Sequence, residues 1–384
     1  MGKGEIIRHR FYTYRDSYTG APVTRLTEPG TVSHHLYFYH RMMTGDGRYL
    51  IYASLRDGRR NLYRMDMQES VSTQLTDAED ISDFSATLTS DDRYLILTTS
   101  RRIIRMDMAT LAEETVYEMP EGWDKGDISL SSDDRYIVMA QMDRRDAVHG
   151  KAGWDFFRPQ CAAKPRCRLV VIDMRSGEAR TILEQACWLG HAQFRPHDSR
   201  TILFCHEGPW DMIDARLWLI GGDGSHMRCA REQHGVIMTH EFWLGDGSRF
   251  GYVYRETTGD QRETVRFIDP DTLAEETVME CSRYKHFIAN PAGTKLVGDG
   301  ELPGRHFIYV ADLATRTETP LCWHGSQWKS YGNVQDAHPH PAFSPDGRFI
   351  VFTTDREGTP CVYRVPLAEP GAEVKTAEGG LSHE

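Results

Sequence analysis

The chain repeats one short turn motif seven times, and this repeat limits the folds that it can adopt. The motif is clearest in TGDGRY at 44–49, SSDDRY at 131–136 and SPDGRF at 344–349. Its third position falls, in chain order, at Asp46, Asp91, Asp133, His197, Asp246, Ala292 and Asp346. The intervals are 45, 42, 64, 49, 46 and 54 residues. Repeats of this length with several short strands each are typical of propeller blades, so we predict an all-β fold, a seven-bladed β-propeller.

Strand patterns flank the turns, whereas long helical patterns are almost absent. The runs at 61–66 and 168–173 alternate apolar and polar residues, as half-buried strands do. The run at 48–53 is rich in aliphatic and aromatic residues and is bounded by turn residues. Asp-Gly pairs at 46–47, 246–247 and 346–347 suit tight turns in which one residue needs a positive φ.

The third repeat is the longest because it carries an insertion at 143–167 with proline, glycine and charged residues. A segment of this composition forms either a loop over one face of the propeller or a mobile flap. We expect residues 1–384 to form one domain around this insertion. Residues 375–384 are expected to be a disordered tail.

The last repeat lacks its outermost strand. It supplies strand patterns near 337–343, 348–354 and 360–366 and then loses them. The N-terminal run at 21–27 resembles the outer strand at 72–76 of the first repeat. We predict that this N-terminal strand completes the last blade, because joining both chain ends in one sheet removes a free edge.

Composition excludes several classes of protein. The chain has 384 residues, 40% of them hydrophobic, which is enough to bury a core. A net charge of -11 argues against a nucleic-acid partner. No run of 18 apolar residues exists to span a membrane, and the N-terminus has neither a secretory apolar region nor a myristoylation pattern. Eight cysteines without C-x-x-C spacing indicate reduced thiols in a cytoplasmic protein.

Histidines form a column when the repeats are aligned. Six residues before the third turn position, the repeats carry His40, Ser85, Asp127, His191, His240, His286 and His340. Five of these seven are histidine in a chain that has only 17. Equivalent positions of a circular repeat lie at one radius and height, on the inner strands of the blades. A ring of imidazoles facing one axis indicates a metal or acid–base site. The alternative is a water-filled channel whose histidines bond to water and backbone.

Four residues of the last two blades are candidate ligands of one metal ion. In His338-Pro339-His340 the two imidazoles are two residues apart and share a face of a strand. Gln335 lies in the preceding loop, and His286 arrives from the neighbouring blade in register with His340. Three imidazoles suit zinc, manganese, iron or nickel. A glutamine carbonyl in place of a carboxylate leaves the ion its full charge, which favours an anionic ligand.

Other residues of the channel are candidates for proton transfer and substrate binding. His240 lies one blade before His286, outside the ligand set, where a neutral imidazole makes a good base. His191 and His206 approach from the fourth blade as candidate substrate contacts, with bystander channel histidines as an equal alternative. Arg216 has the bidentate fork that holds a carboxylate.

Aromatic residues provide candidate stacking surfaces for a sugar ring. These residues are Trp210, Trp243, Trp323 and Tyr331, and for each of them a place in the core is the competing explanation. His40 belongs to the histidine column but lies on the other side of the ring.

Several motifs resemble a known enzyme family. The run at 344–352 resembles a TolB-type propeller blade. Over essentially the whole chain, the sequence resembles oligogalacturonate lyase, an intracellular pectin-degrading family with a seven-bladed propeller. The matching runs are at 24–27, 33–38, 190–196, 239–241 and 335–341. The last of these is far more specific than the blade repeat.

The resemblance implies an activity and a set of functional residues. It implies a manganese ion held by residues matching His286, Gln335, His338 and His340, with another divalent transition metal as the alternative. It implies that His240 is the base, and it suggests that Arg216 assists at the sugar. The family cleaves short, often unsaturated oligogalacturonides to 5-dehydro-4-deoxy-D-glucuronate by β-elimination.

Two other functions stay open at this stage. A metal-dependent propeller hydrolase or lactonase is one, although such sites usually bring carboxylate ligands. A non-catalytic TolB-like binding propeller is the other, although it leaves the histidine column unexplained. A propeller domain of a serine peptidase is disfavoured, because the chain has no G-x-S-x-G motif. The oligomeric state stays open, since a closed ring needs no partner.

Overall fold

The computed structural model describes residues 2–150, 154–258 and 263–367. The tail at 375–384 that we expect to be disordered lies outside these residues, and the single domain stays a prediction. Three short strands precede the repeats, namely β1 (Ile6–Arg8), β2 (Tyr12–Arg15) and β3 (Pro22–Arg25).

Consecutive strands then form one sheet per repeat. The first sheet contains β4 (Ser33–His35), β5 (Tyr49–Arg56), β6 (Arg59–Asp66) and β7 (Val71–Gln74). The second contains β8 (Ile81–Leu88), β9 (Tyr94–Thr99), β10 (Arg102–Asp107) and β11 (Glu113–Glu118). The third contains β12 (Trp123–Leu130), β13 (Tyr136–Asp143), β14 (Arg166–Asp173) and β15 (Ala179–Ala186).

The other four sheets repeat this plan. The fourth contains β16 (Leu189–Arg195), β17 (Asp198–His206), β18 (Leu217–Gly221) and β19 (Arg228–Arg231). The fifth contains β20 (Val236–Trp243), β21 (Phe250–Glu256), β22 (Glu263–Ile268) and β23 (Glu275–Cys281). The sixth contains β24 (Tyr284–Ala289), β25 (Lys295–Gly300), β26 (Phe307–Asp312) and β27 (Thr317–Trp323). The seventh contains β28 (Ala342–Phe343), β29 (Phe349–Thr354) and β30 (Cys361–Pro366).

Every sheet is antiparallel and keeps its repeat strands in sequence order. The first strand of each repeat, from β4 through β28, forms one edge of its sheet. Neighbouring first strands contact each other from β8 to β12, β16, β20, β24 and β28. These strands therefore line the central channel. The predicted all-β, seven-bladed β-propeller is confirmed.

The N-terminal segment closes the ring as predicted. Strand β3 pairs with β30, with Thr24 opposite Arg364 and Arg25 opposite Tyr363. Strand β2 adds a fifth strand outside β3 in the same sheet. Strand β1 instead pairs with β7 in the first blade, which the sequence analysis does not predict. The first 25 residues therefore contribute edge strands to both the first and the last blade.

The apolar core lies between adjacent sheets. One cluster joins the last, first and second blades through residues such as Leu50, Leu97 and Val351. Another joins the third and fourth blades through residues such as Leu169 and Phe204. Because each sheet packs on two neighbours, its middle strands are buried on both faces. This packing holds the inner strands in fixed positions around the channel.

The repeated turn has a defined hydrogen-bond pattern. The Thr44 hydroxyl donates to Asp46 Oδ1 at 2.6 Å, and that oxygen accepts from the Arg48 N–H at 2.9 Å. The hydroxyl oxygen accepts from the Tyr49 N–H at 3.0 Å. Gly47 has a φ of 68°, a region that glycine adopts at little cost. The last blade makes the same bonds, which explains why the motif is legible in the sequence.

The insertion in the third repeat packs against the fourth blade. It begins with a 3-10 helix (Arg144–Asp146) and includes α1 (Trp154–Ala162). Phe157 on α1 has its ring centroid 5.2 Å from that of Trp188, and Arg158 donates two hydrogen bonds to Asp211. Neither helix has the length and apolarity that crossing a bilayer requires.

Candidate metal centre

The histidine column coincides with breaks in the strand pairing of the inner strands. Regular pairing is interrupted between Lys125 and Ile128, Gly190 and Gln193, Thr239 and Phe242, and Tyr284 and Phe287. His191, His240 and His340 have φ angles of 47°, 58° and 45°, which are unusual for residues other than glycine. A β-bulge redirects a side chain away from the regular alternation and is frequent beside active sites. Repeat spacing predicts the column but does not reveal these bulges.

Three histidines converge at one point, and we call them the imidazole cluster (His286, His338 and His340). Their ligand atoms all lie within 4.8 Å of one another, and all three residues are buried. The ring centroid of His286 is 4.1 Å from that of His340 and 5.3 Å from that of His338. The strand predicted near 337–343 begins only at Ala342, so the loop before β28 positions His338 and His340.

Several polar atoms of this site are buried without a hydrogen-bond partner among the described residues. They include Nδ1 of His338, Nε2 of His340 and Oε1 of Gln335. Leaving such an atom unpaired costs about 1–3 kcal/mol, so three unpaired atoms within residues 335–340 indicate a missing partner. Burial lowers the pKa of His338 to about 2, and His286 adds to this effect. The imidazoles are therefore neutral, the form that binds a metal ion. The donor set of three imidazoles and one amide oxygen fits a divalent transition metal.

Asp299 on β25 orients His286. The Nδ1 of His286 lies 2.9 Å from Asp299 Oδ2, and the backbone N–H of His286 donates to Asp299 Oδ1 at 2.5 Å. Burial raises the pKa of Asp299 to about 8, even though the backbone N–H of His286, the Lys285 ammonium and the backbone N–H of His340 oppose the change. Because Nδ1 faces the carboxyl group, Nε2 is the nitrogen left for an ion, as in many carboxylate–histidine–metal arrangements.

Gln335 lies on a loop that is anchored to the first blade. The Asp336 carboxylate accepts from Nη1 and Nη2 of Arg60 on β6, each at 2.7 Å. Arg60 also donates to Asp83 at 2.9 Å, which fixes its guanidinium from the second blade. The backbone N–H of His338 donates to the backbone carbonyl of Gln335 at 3.0 Å. This bond closes a turn between the two candidate ligands. The sequence motif identifies the ligands but not Arg60, their anchor.

His240 lies beside the imidazole cluster without belonging to it. Its ring centroid is 5.2 Å from that of His286. Burial lowers the pKa of His240 well below its ordinary value, with further contributions from His286 and Arg216. Its Nδ1 is buried and has no hydrogen-bond partner among the described residues. A neutral imidazole with an unpaired nitrogen is available to accept a proton.

A second group of residues lines the channel beside His240, and we call it the ion-pair cluster (His191, Glu207, Arg216 and Glu241). Arg216 donates to both oxygens of Glu207 at 3.0 and 3.2 Å and to both oxygens of Glu241 at 3.0 and 3.3 Å. The Nε2 of His191 lies 2.9 Å from Glu207 Oε1. Sequence analysis finds Arg216 and His191 but misses both glutamates. The sequence offers a signal only for Glu241, which directly follows His240.

Two predicted substrate contacts have other neighbours. His206 ends β17, where its ring stacks on Trp218 at 4.7 Å and its Nε2 lies 3.1 Å from Gln185 Oε1. The Tyr331 hydroxyl donates to Asp355 at 3.1 Å and lies at the same distance from the Gly358 carbonyl. Neither residue contacts the imidazole cluster through these interactions.

Aromatic side chains after β4 extend across the channel. The Tyr37 ring centroid is 5.0 Å from that of His340 on one side and 6.4 Å from that of His191 on another. The neighbouring Phe38 ring lies 5.7 Å from His286, and the Tyr39 hydroxyl donates to Asp127 at 3.0 Å. These rings form an apolar wall behind the imidazoles. Sequence analysis includes Tyr37 and Phe38 in the matching run at 33–38 but assigns these rings no role.

Comparisons with known proteins support these observations. The family model described as oligogalacturonate lyase matches residues 1–370. An oligogalacturonide lyase of Pectobacterium atrosepticum is 37% identical over 94% of this chain and 97% of its own length. An oligogalacturonate lyase of Dickeya dadantii is 36% identical over the same shares. A solved structure of an oligogalacturonate lyase in complex with manganese superimposes with a TM-score of 0.93. It is 38% identical and covers 96% of this chain and 99% of that one.

Proposed function

Because the chain belongs to the oligogalacturonate lyase family, and so is a lyase acting on oligogalacturonides, we propose that its active site is the channel around the imidazole cluster. We propose that His286, Gln335, His338 and His340 hold a manganese ion there. The observation that carries this assignment is that Gln335, His338 and His340 each have a buried oxygen or nitrogen atom without a hydrogen-bond partner among the described residues. Each of these atoms can act as a metal ligand. Other divalent transition metals suit the same donor set, and metal analysis distinguishes them.

The reaction is a β-elimination within a galacturonate unit. The proton at C5 is adjacent to the carboxylate and is only weakly acidic, so its removal builds negative charge on that carboxylate. A manganese ion, when bound, supplies Lewis-acid stabilisation of this charge. The electron pair left at C5 forms the C4–C5 double bond, and the oxygen on C4 departs and takes up a proton. No water is consumed.

His240 is the residue best suited to accept the C5 proton. Burial keeps its imidazole neutral, and Nδ1 has no partner among the described residues. It stands next to His286, so a sugar carboxylate held at the imidazole cluster brings C5 towards it. The neighbouring Glu241 carboxylate favours the protonated form of His240 once the proton has moved.

Arg216 is proposed to assist with one N–H group. A guanidinium has five N–H donors, and Glu207 and Glu241 occupy four of them. One N–H donor on Nη1 is therefore left for the substrate. The four bonds to the glutamates also hold the guanidinium in a fixed orientation. We propose His191 as a substrate contact on the same side of the channel. His206 and Tyr331 stay predictions for substrate binding.

We also propose that the protein works in the cytoplasm on oligosaccharides of only a few units. All eight cysteines are free, as thiols of a reducing compartment are. Fractionation of cells that produce the protein tests this proposal. Recovery of the protein outside the cytoplasmic fraction would contradict it.

Product mass spectrometry tests the proposed reaction. Digalacturonate is incubated with metal-stripped protein and with the same protein after manganese is restored. We expect manganese-dependent products whose masses sum to the substrate mass. Products that sum to substrate plus water would indicate a hydrolase on the same scaffold. Absence of turnover in both conditions would contradict the proposed substrate.

A further inference from the structure

A lysine beside the imidazole cluster forms no ion pair with a carboxylate of the described residues. Lys285 directly precedes His286 in the bulge of β24, between the paired residues Tyr284 and Phe287. Across residues 2–150, 154–258 and 263–367, no carboxylate lies within ion-pair distance of its Nζ. The ammonium instead lies over the ring of Trp328, 5.2 Å from the centroid. Trp328 packs against His338, with centroids 5.0 Å apart, so its ring connects Lys285 to the imidazole cluster.

Two other cations of the channel wall are paired with carboxylates. Arg60 binds Asp83 and Asp336, and Arg216 binds Glu207 and Glu241. Lys285 differs from these two arginines, because its partly buried ammonium has no carboxylate of the described residues at ion-pair distance. A cation–π contact supports the ammonium but does not neutralise it.

The positive charge of Lys285 would lie near the positive charge of a bound metal ion. The candidate metal ligands are neutral, so a bound divalent ion keeps its full charge and repels the nearby ammonium. An anion between the two positive centres removes this repulsion. A uronate carboxylate is such an anion, and every unit of an oligogalacturonide carries one.

We propose that Lys285 is a specificity-determining residue that binds a carboxylate of the uronate substrate. This inference rests on the proposed function, since it assumes that galacturonate units enter the channel. Trp328 acts as a positioning residue for Lys285. Its backbone is held at a φ of 56°, its N–H donates to Ser326 Oγ at 3.2 Å, and its ring restricts the lysine side chain.

The test compares Lys285→Met with Lys285→Arg in the manganese-loaded protein. Hydrogen bonds to charged groups predict that Lys285→Met raises KM for digalacturonate about 10- to 100-fold while kcat changes little. Lys285→Arg retains the charge and should recover most of the loss. In the wild type KM should rise with salt, and this dependence should weaken in Lys285→Met. Lys295→Met removes a lysine paired with Asp312 at the turn end of β25 and serves as the matched control.

Three results would overturn the proposal. One is an unchanged KM in Lys285→Met. Another is an equal rise in KM in the methionine and arginine variants, which would indicate a packing role. The third is a loss of manganese in Lys285→Met, which would place the residue with the metal site instead. If the wild type fails to turn over digalacturonate, the proposed function fails. Calorimetric binding of digalacturonate to the same variants then still decides whether Lys285 recognises the carboxylate.

Discussion

The imidazole cluster and the ion-pair cluster lie side by side in one channel, but they satisfy their polar atoms in opposite ways. In the imidazole cluster, neutral rings point unpaired nitrogens at a common position. In the ion-pair cluster, Arg216 binds both oxygens of two carboxylates, and His191 completes the network. A buried site with unpaired atoms indicates an external ligand, whereas a site whose charges are nearly all paired indicates a rigid frame. Burial alone would not distinguish them.

The comparison predicts that removing an imidazole abolishes metal binding. His338→Ala deletes one of the unpaired nitrogens, so the ion loses a ligand and the developing carboxylate charge loses its stabilisation. We expect manganese content to fall and kcat/KM to drop by about 1000-fold or more. Metal analysis of the purified variant and the elimination assay measure both effects. His234→Ala, at an exposed surface position, is the control. Unchanged metal content in His338→Ala would remove this residue from the ligand set.

A substitution of His240 tests whether the two clusters have separate roles. His240 contacts the imidazole cluster and is electrostatically coupled to the ion-pair cluster. His240→Ala should reduce kcat by about 100- to 10,000-fold, the usual contribution of a positioned acid–base group. Manganese content should stay at the wild-type level, since His240 lies outside the candidate ligands. Parallel metal analysis and single-turnover rates check this expectation. Loss of manganese would make His240 a ligand and would leave the base unassigned.

The sequence predicts the imidazole cluster better than the ion-pair cluster, and the reason is physical. The turn motif and the column depend on local spacing, so His286 and His340 can be aligned without knowing the fold. Pairing partners depend on tertiary contacts. Arg216 meets Glu241 of the next blade across 25 residues, and no local pattern indicates such a pair.

The bulges are hidden for a related reason. They arise from how two strands pair, so the sequence of one strand does not show them. They nevertheless decide which way His191 and His240 point. The N-terminal strand β3 could be predicted because it repeats a recognisable pattern, whereas β1 lacks one and was missed.

The ion-pair cluster should contribute to stability rather than to metal binding. Glu207→Gln leaves Arg216 buried with a single carboxylate, and breaking a buried ion pair typically costs about 3 kcal/mol or more. We expect the free energy of unfolding, measured with urea, to fall by about that amount while manganese content is unchanged. Glu184→Gln breaks an exposed pair with Arg166 and should cost less than about 1 kcal/mol. Manganese loss in Glu207→Gln would show that the two clusters are not separate.

The same variant has a distinct pH dependence. Burial opposes ionisation of Glu207, but Arg216 and His191 outweigh it and hold the pKa of Glu207 well below its ordinary value. Its contribution to stability is therefore present above about pH 4.5 and is lost as the pH falls further. Glu207→Gln should show a shallower loss of stability on acidification than the wild type. Equal slopes would mean that Glu207 does not carry this dependence.

The smallest expected effect concerns the residue behind the imidazole cluster. Asp299→Asn keeps the shape of the side chain but replaces the carboxyl group that faces His286 Nδ1 with an amide. Replacing such a partner of a metal-binding histidine typically weakens metal affinity about 10- to 100-fold. Manganese titration should therefore show a higher Kd, and excess manganese should restore turnover to near the wild-type rate. His338→Ala, by contrast, should not recover in this way, because it lacks a ligand altogether. If excess manganese fails to rescue Asp299→Asn, the carboxyl group of Asp299 acts in the reaction itself. The ion-pair cluster would then not be the only part of the channel in which paired side chains support the site, and Asp299 would have to be counted with the reacting groups.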